Sequence, residues 1–143
     1  MKSSTALKIL SAILFLFALG HTLGTAVPRV HRGASEAAVF EAMKSFRFPI
    51  MGFTRSYWDF YRGFAITITL LLLMLAAITW QLAVIAQRNA REALPIALTL
   101  LLGCAGLLIL GYEFFFSGPI VISVVAVACA TTVVVALRSS AAP

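Results

Sequence analysis

Apolar residues fill four long stretches of this chain, and polar ones gather at their ends and in one long connection. A helix needs about 20 mostly apolar residues to cross a bilayer, because about 30 Å of hydrocarbon is spanned at about 1.5 Å per residue. The stretches at about 5–27, 64–87, 93–116 and 119–137 all reach that length. The fourth is rich in Val and Ile, which favour strands in water. In lipid the backbone must satisfy its own hydrogen bonds, so a helix is predicted there too.

The punctuation agrees with this division. Arg88-Asn89-Ala90-Arg91 reads as a short polar turn, and Ser117-Gly118-Pro119 as a tighter one with Pro119 at the first helical position. Short connections make consecutive helices antiparallel neighbours. The long connection, from Pro28 to about Arg55, carries its own pattern. Across 35–46, Val39, Phe40, Met43 and Phe46 recur at helical spacing, while Glu41, Lys44 and Ser45 fall opposite. Ser35 is the expected N-cap, Glu36 suits the first turn, and Pro49 and Gly52 end the pattern. The fold class is therefore all-α: an integral membrane four-helix bundle, one domain over 1–143, with a short amphipathic helix at the interface.

Composition reinforces this reading. Of 143 residues, 62% are hydrophobic and 11% charged, too little charge to solvate a water-facing surface of this size. The net charge of +6 has no basic stripe or nucleic-acid motif with it, so it points to anionic lipid headgroups and not to nucleic acid. Cys104 and Cys129 fall within spans and outside any C-x-x-C pair, as packed apolar thiols would. Lys2, Lys8, Arg88, Arg91 and Arg138 share one side of the bilayer, and Arg29, Arg32, Lys44, Arg47, Arg55 and Arg62 the other. That near tie leaves the basic N-terminus and the uncharged third connection to place both termini in the cytoplasm. The basic start of the first segment, with small residues at Gly24 and Ala26, also fits a cleaved signal peptide. Its apolar length and His21 argue for a retained helix.

Polar groups inside spans are costly to bury, so each needs a structural or functional reason. Ser56-Tyr57-Trp58-Asp59 is a capping-box pattern at a helix start, with Arg55 and Arg62 near enough in sequence to pair with Asp59. Tyr57, Trp58, Phe60, Tyr61 and Tyr112 read as interfacial aromatics, and Trp80 marks the opposite interface. Gly20 and Gly24 form the G-x-x-x-G spacing that lets another helix approach closely. His21, between them, would bond a neighbour across such a contact, carry a proton, or ligate haem. Haem needs a second ligand and His31 lies at the wrong depth, so neither metal nor cofactor is expected. Glu113 sits in the last turn of its helix, where a negative charge is unfavourable without a cation nearby. Shared depth suggests a polar cluster of His21, Arg62 and Glu113 at one end of the bundle.

Gly20-His21-Thr22-Leu23-Gly24, Met51-Gly52-Phe53 and Arg55-Ser56-Tyr57-Trp58-Asp59-Phe60-Tyr61-Arg62-Gly63-Phe64 together resemble a group of small bacterial four-span membrane proteins of uncharacterised activity. The resemblance covers nearly the whole chain, implies an uncleaved first helix and supplies no activity; the expected location is the bacterial inner membrane. A looser likeness to DoxX-type and EXPERA-type four-helix proteins rests on span count and scattered polar residues, and carries over no catalytic residue. The leading functional expectation is a non-enzymatic bundle that binds a lipid or small hydrophobic ligand, or docks a protein partner or a second copy. The alternatives are an intramembrane enzyme exchanging protons through His21 and Glu113 and an accessory subunit of a transport or respiratory complex. A channel is not expected, because too few polar residues would line its path.

Overall fold

A computed structural model describes residues 3–26 and 32–141. The elements, in order, are α1 (Ser3–Ala26), α2 (Ala34–Ser45), β1 (Arg47–Ile50), β2 (Phe53–Ser56), α3 (Tyr57–Arg88), α4 (Ala90–Phe114) and α5 (Ser117–Ala141). Four of these helices, α1, α3, α4 and α5, are long and apolar enough to cross a membrane. The chain divides into two compact units, one formed by Met1–Phe17 with Leu72–Pro143 and the other by Ala18–Leu71.

The first unit is the four-helix bundle. One core cluster joins Ala6 and Leu7 of α1, Leu82, Ala83 and Ala86 of α3, Ala93, Ala97 and Leu100 of α4, and Val133, Val134 and Leu137 of α5. α4 and α5 pack with their backbones close, and in lipid such packing is a main source of attraction between helices. A second cluster, with Leu10, Leu14, Ala76, Cys104, Ala126 and Ala130, continues it. The Ser11 hydroxyl donates to the Ala76 carbonyl across 2.8 Å, and the Cys129 thiol to the Ala6 carbonyl across 3.4 Å. Outward, the bundle shows Leu102, Ile109, Val121 and Val135, each more than half exposed. Aqueous monomers rarely carry so continuous an apolar surface.

Helix boundaries run past the apolar stretches wherever a cap lies beyond them. Asn89 accepts the Arg91 and Glu92 amides and starts α4 at Ala90, so the second connection is a single capping residue and not a four-residue turn. α5 begins at Ser117, which makes Pro119 its third residue. Its missing amide still costs nothing in the first turn. α2 begins at Ala34 behind Gly33, whose φ of 137° turns the chain in. Gly33 therefore replaces Ser35 as N-cap, and Glu36 accepts the Arg32 amide from inside the first turn.

The second unit holds the ends of α1 and α3 that the bundle does not use, together with α2 and an antiparallel hairpin, β1–β2, with Ile50 paired to Phe53 and Arg47 to Ser56. The hairpin departs from the sequence expectation, which treated these residues as connection. Met51 and Gly52 make its turn, with φ of 47° and 84°.

Candidate functional site

Three places bring together side chains that could act. The first is a polar chain in the second unit. The Thr22 hydroxyl donates to the Ala18 carbonyl at 2.8 Å and lies 3.1 Å from the Thr69 hydroxyl. His21 Nδ1 lies 3.1 Å from the same Thr69 oxygen. Each hydroxyl has one proton to give. With the Thr22 proton directed to Ala18, the Thr69 hydroxyl bridges Thr22 and the His21 ring. These contacts tie α1 to α3.

The remaining sequence candidates sit as follows. Arg62 is exposed in this unit, on the second turn of α3, and Glu113 is exposed on the last turn of α4, in the bundle unit. Beside Gly20 and Gly24 there is open space, with no atom within 4 Å of where a Cβ would stand. The close helix contact their spacing suggests is not made by the described residues. Tyr112 is 79% exposed. Arg29 and His31 lie outside the described residues, as does Lys2. Among the described residues no three His, Cys, Asp or Glu side chains gather as a metal site would need.

The second place is the start of α3. The Ser56 amide donates to Asp59 Oδ2 at 2.8 Å and the Asp59 amide to Ser56 Oγ at 3.2 Å, a complete capping box. Arg55 makes no ion pair with Asp59. Its guanidinium donates to the Thr54 carbonyl and lies 5.0 Å from the centre of the Phe53 ring. Ser56→Ala is expected to lower the stability of this helix start by about 1 kcal/mol. The check is faster amide hydrogen exchange at Trp58 and Asp59 with the amides of α4 unchanged.

Around this cap two groups of aromatic rings form a collar. Phe48 stacks on Phe60, with ring centres 6.0 Å apart and planes 3° apart, and it meets Tyr57 at 5.1 Å. Phe46 stacks on Tyr57 at 5.9 Å. Trp58 takes the edge of Phe40 from α2 at 5.7 Å and stacks on Tyr61 at 5.2 Å. Lys44 lies 5.6 Å above the Trp58 ring while pairing with Glu41 at 2.9 Å. Tyr57 thus fastens the hairpin to α3 and Trp58 fastens α2 to it, while Tyr61 stacks on Trp58 within α3.

The third place is a groove between α1 and α3, within the bundle unit and missed by the sequence reading. Its lining includes Ser11, Ala12 and Phe15 from α1 and Ala76, Ala77 and Trp80 from α3, and it is an open trough of about 430 Å³. The wall is almost wholly apolar, since the Ser11 hydroxyl is already spent on Ala76. At the Trp80 end the Lys8 ammonium lies 5.3 Å over the indole ring. No local signal announces such a groove. Small residues at 12, 76 and 77 open it only once α1 and α3 are aligned. Ser123 was also unforeseen: its hydroxyl is buried on α5 with no hydrogen-bond partner among the described residues.

No family model matches the chain, and no curated protein or solved structure matches it.

Proposed function

We propose that the chain is a four-span membrane protein that acts by binding and not by catalysis, and that its ligand is a phospholipid whose acyl chain lies in the groove between α1 and α3. The observation that carries this is the pairing of an apolar trough with one cation at its end. The walls offer an alkyl chain contact and offer a polar substrate almost nothing to bond. Lys8, in the second turn of α1 and held over Trp80, stands where a headgroup phosphate would emerge. Tryptophan and lysine side by side suit the boundary between headgroups and hydrocarbon. In this reading the membrane is the bacterial inner membrane, both termini are cytoplasmic, and Lys8 meets the inner leaflet.

The test is mass spectrometry of the protein purified in mild detergent, compared with two variants. Wild type is expected to retain phospholipid. Ala77→Trp, which fills the trough from one wall, is expected to lose it without loss of helicity. Lys8→Gln is expected to shift the retained lipid away from anionic species. Lipid retention unchanged in Ala77→Trp would overturn the proposal. So would a second polypeptide occupying the groove in place of lipid.

A further inference from the structure

The hairpin has an apolar face and nothing of its own to bury it against. Directly paired residues of antiparallel strands share a face, and successive residues alternate. The register therefore puts Phe48, Ile50, Phe53 and Arg55 on one face and Arg47, Pro49, Thr54 and Ser56 on the other. An isolated two-stranded sheet is marginal in water and needs a second layer. Phe48 finds one on Phe60 and Tyr57. Ile50 and Phe53, nearer the turn, remain 40% and 61% exposed, and Met51 at the tip is 94% exposed.

The turn sharpens the question. A two-residue hairpin loop with both φ values positive favours Asn-Gly or Asp-Gly, because asparagine and aspartate tolerate the left-handed region and water solvates them. Here the first position is methionine, which the backbone disfavours and water does not reward. A local rule broken at an exposed site points to a function there.

We propose that the β1–β2 hairpin is a membrane-surface anchor, in which Ile50, Met51 and Phe53 enter the upper acyl layer of the bilayer and Arg47 and Arg55 engage lipid phosphates. Lipid is the occupant because the apolar face continues, through Phe48 and Phe60, into Phe64 on α3, and β2 ends at Ser56, immediately before α3 begins. The hairpin is thus tethered at the depth where headgroups lie. Arg55, on the apolar face, lays its guanidinium against Phe53, so its stem can cross apolar surface while its charge reaches a phosphate. Arg47, on the other face, meets the headgroup layer from above. The proposal rests on α3 crossing the membrane, but not on the groove between α1 and α3.

The full chain, with Cys104→Ala and Cys129→Ala, is placed in phosphatidylcholine–phosphatidylglycerol vesicles and labelled with one fluorophore at Leu70→Cys, Met51→Cys or Thr54→Cys. Quenching by iodide in water is compared with quenching by nitroxides on the lipid chains. Position 70, on the α3 surface, reports the span itself, and lipid quenching with iodide protection is expected there. Position 51 is expected to be quenched by shallow nitroxides and shielded from iodide, and position 54 to behave in the opposite way. With Ile50→Ser and Phe53→Ser added, position 51 is expected to lose its lipid quenching and to reach the iodide quenching of position 54. Without phosphatidylglycerol the shallow quenching at 51 is expected to fall, and Arg55→Gln to remove most of that dependence. A lipid-quenched position 70 with a water-quenched position 51 overturns the anchor and leaves the span intact. Shielding of 51 from iodide without lipid quenching means a protein covers the hairpin, and also overturns it.

Discussion

Leu82→Ala is expected to destabilise the folded bundle by about 2 kcal/mol, the lower end of the range for truncating a buried leucine. Leu82 is 1% exposed and lies in the cluster that all four long helices share. In water such a change loses both the transfer of the side chain out of solvent and the contacts around the void it leaves. In a bilayer the separated helices are already solvated by acyl chains, so only the packing loss remains. Leu102 lies on the outside of α4, 73% exposed, and Leu102→Ala should change stability by close to nothing, because a lipid methylene replaces each contact the leucine gave. The measurement is thermal unfolding of both variants in the same lipid nanodiscs. Equal losses would show that the interior and the lipid face have been assigned wrongly.

That contrast also shows which features hydropathy could and could not report. The long helices were legible because each must present about 20 apolar residues to lipid, and the pattern of a membrane span survives any packing arrangement. Their ends were less legible. α3 starts at Tyr57, seven residues before the apolar stretch read at Phe64, because its start is set by the Ser56–Asp59 box. The box itself was readable, since its residue types and three-residue spacing are local. The hairpin was not. Its strands are four residues each, Pro49 reads as a breaker, and Met51 is not a residue that announces a turn. Of the site residues, His21 was recognisably in need of a partner, but nothing in the run Ile66-Thr67-Ile68-Thr69 picks out Thr69 over Thr67. That choice is made by how α1 and α3 pack. The groove was hidden for the same reason, and Gly20 and Gly24 show the converse: a spacing that permits close approach does not supply the helix that approaches.

Removing the ring of Phe48 is expected to release the hairpin from α3 while leaving the bundle folded. Phe48 meets three other rings, Phe46 at 6.1 Å, Tyr57 at 5.1 Å and Phe60 at 6.0 Å. Each such pair contributes roughly 0.5–1.5 kcal/mol beyond area burial, and Phe48 is only half-buried, so a total of about 2 kcal/mol is the reasonable scale for Phe48→Ala. A two-stranded sheet has little stability of its own, so that loss is enough to expose its ladder. Amide hydrogen exchange should accelerate across Arg47–Ser56, and more weakly in α2, which reaches α3 independently through Phe40 and Trp58. Exchange in α4 and α5 should not change, because Phe48 belongs to the other compact unit. Phe114, 72% exposed at the end of α4, gives the control: Phe114→Ala should leave the hairpin amides as protected as in wild type. Unchanged protection in Phe48→Ala would mean that the strands are held by something other than this aromatic collar. Acceleration throughout α4 and α5 would mean that the two units unfold as one.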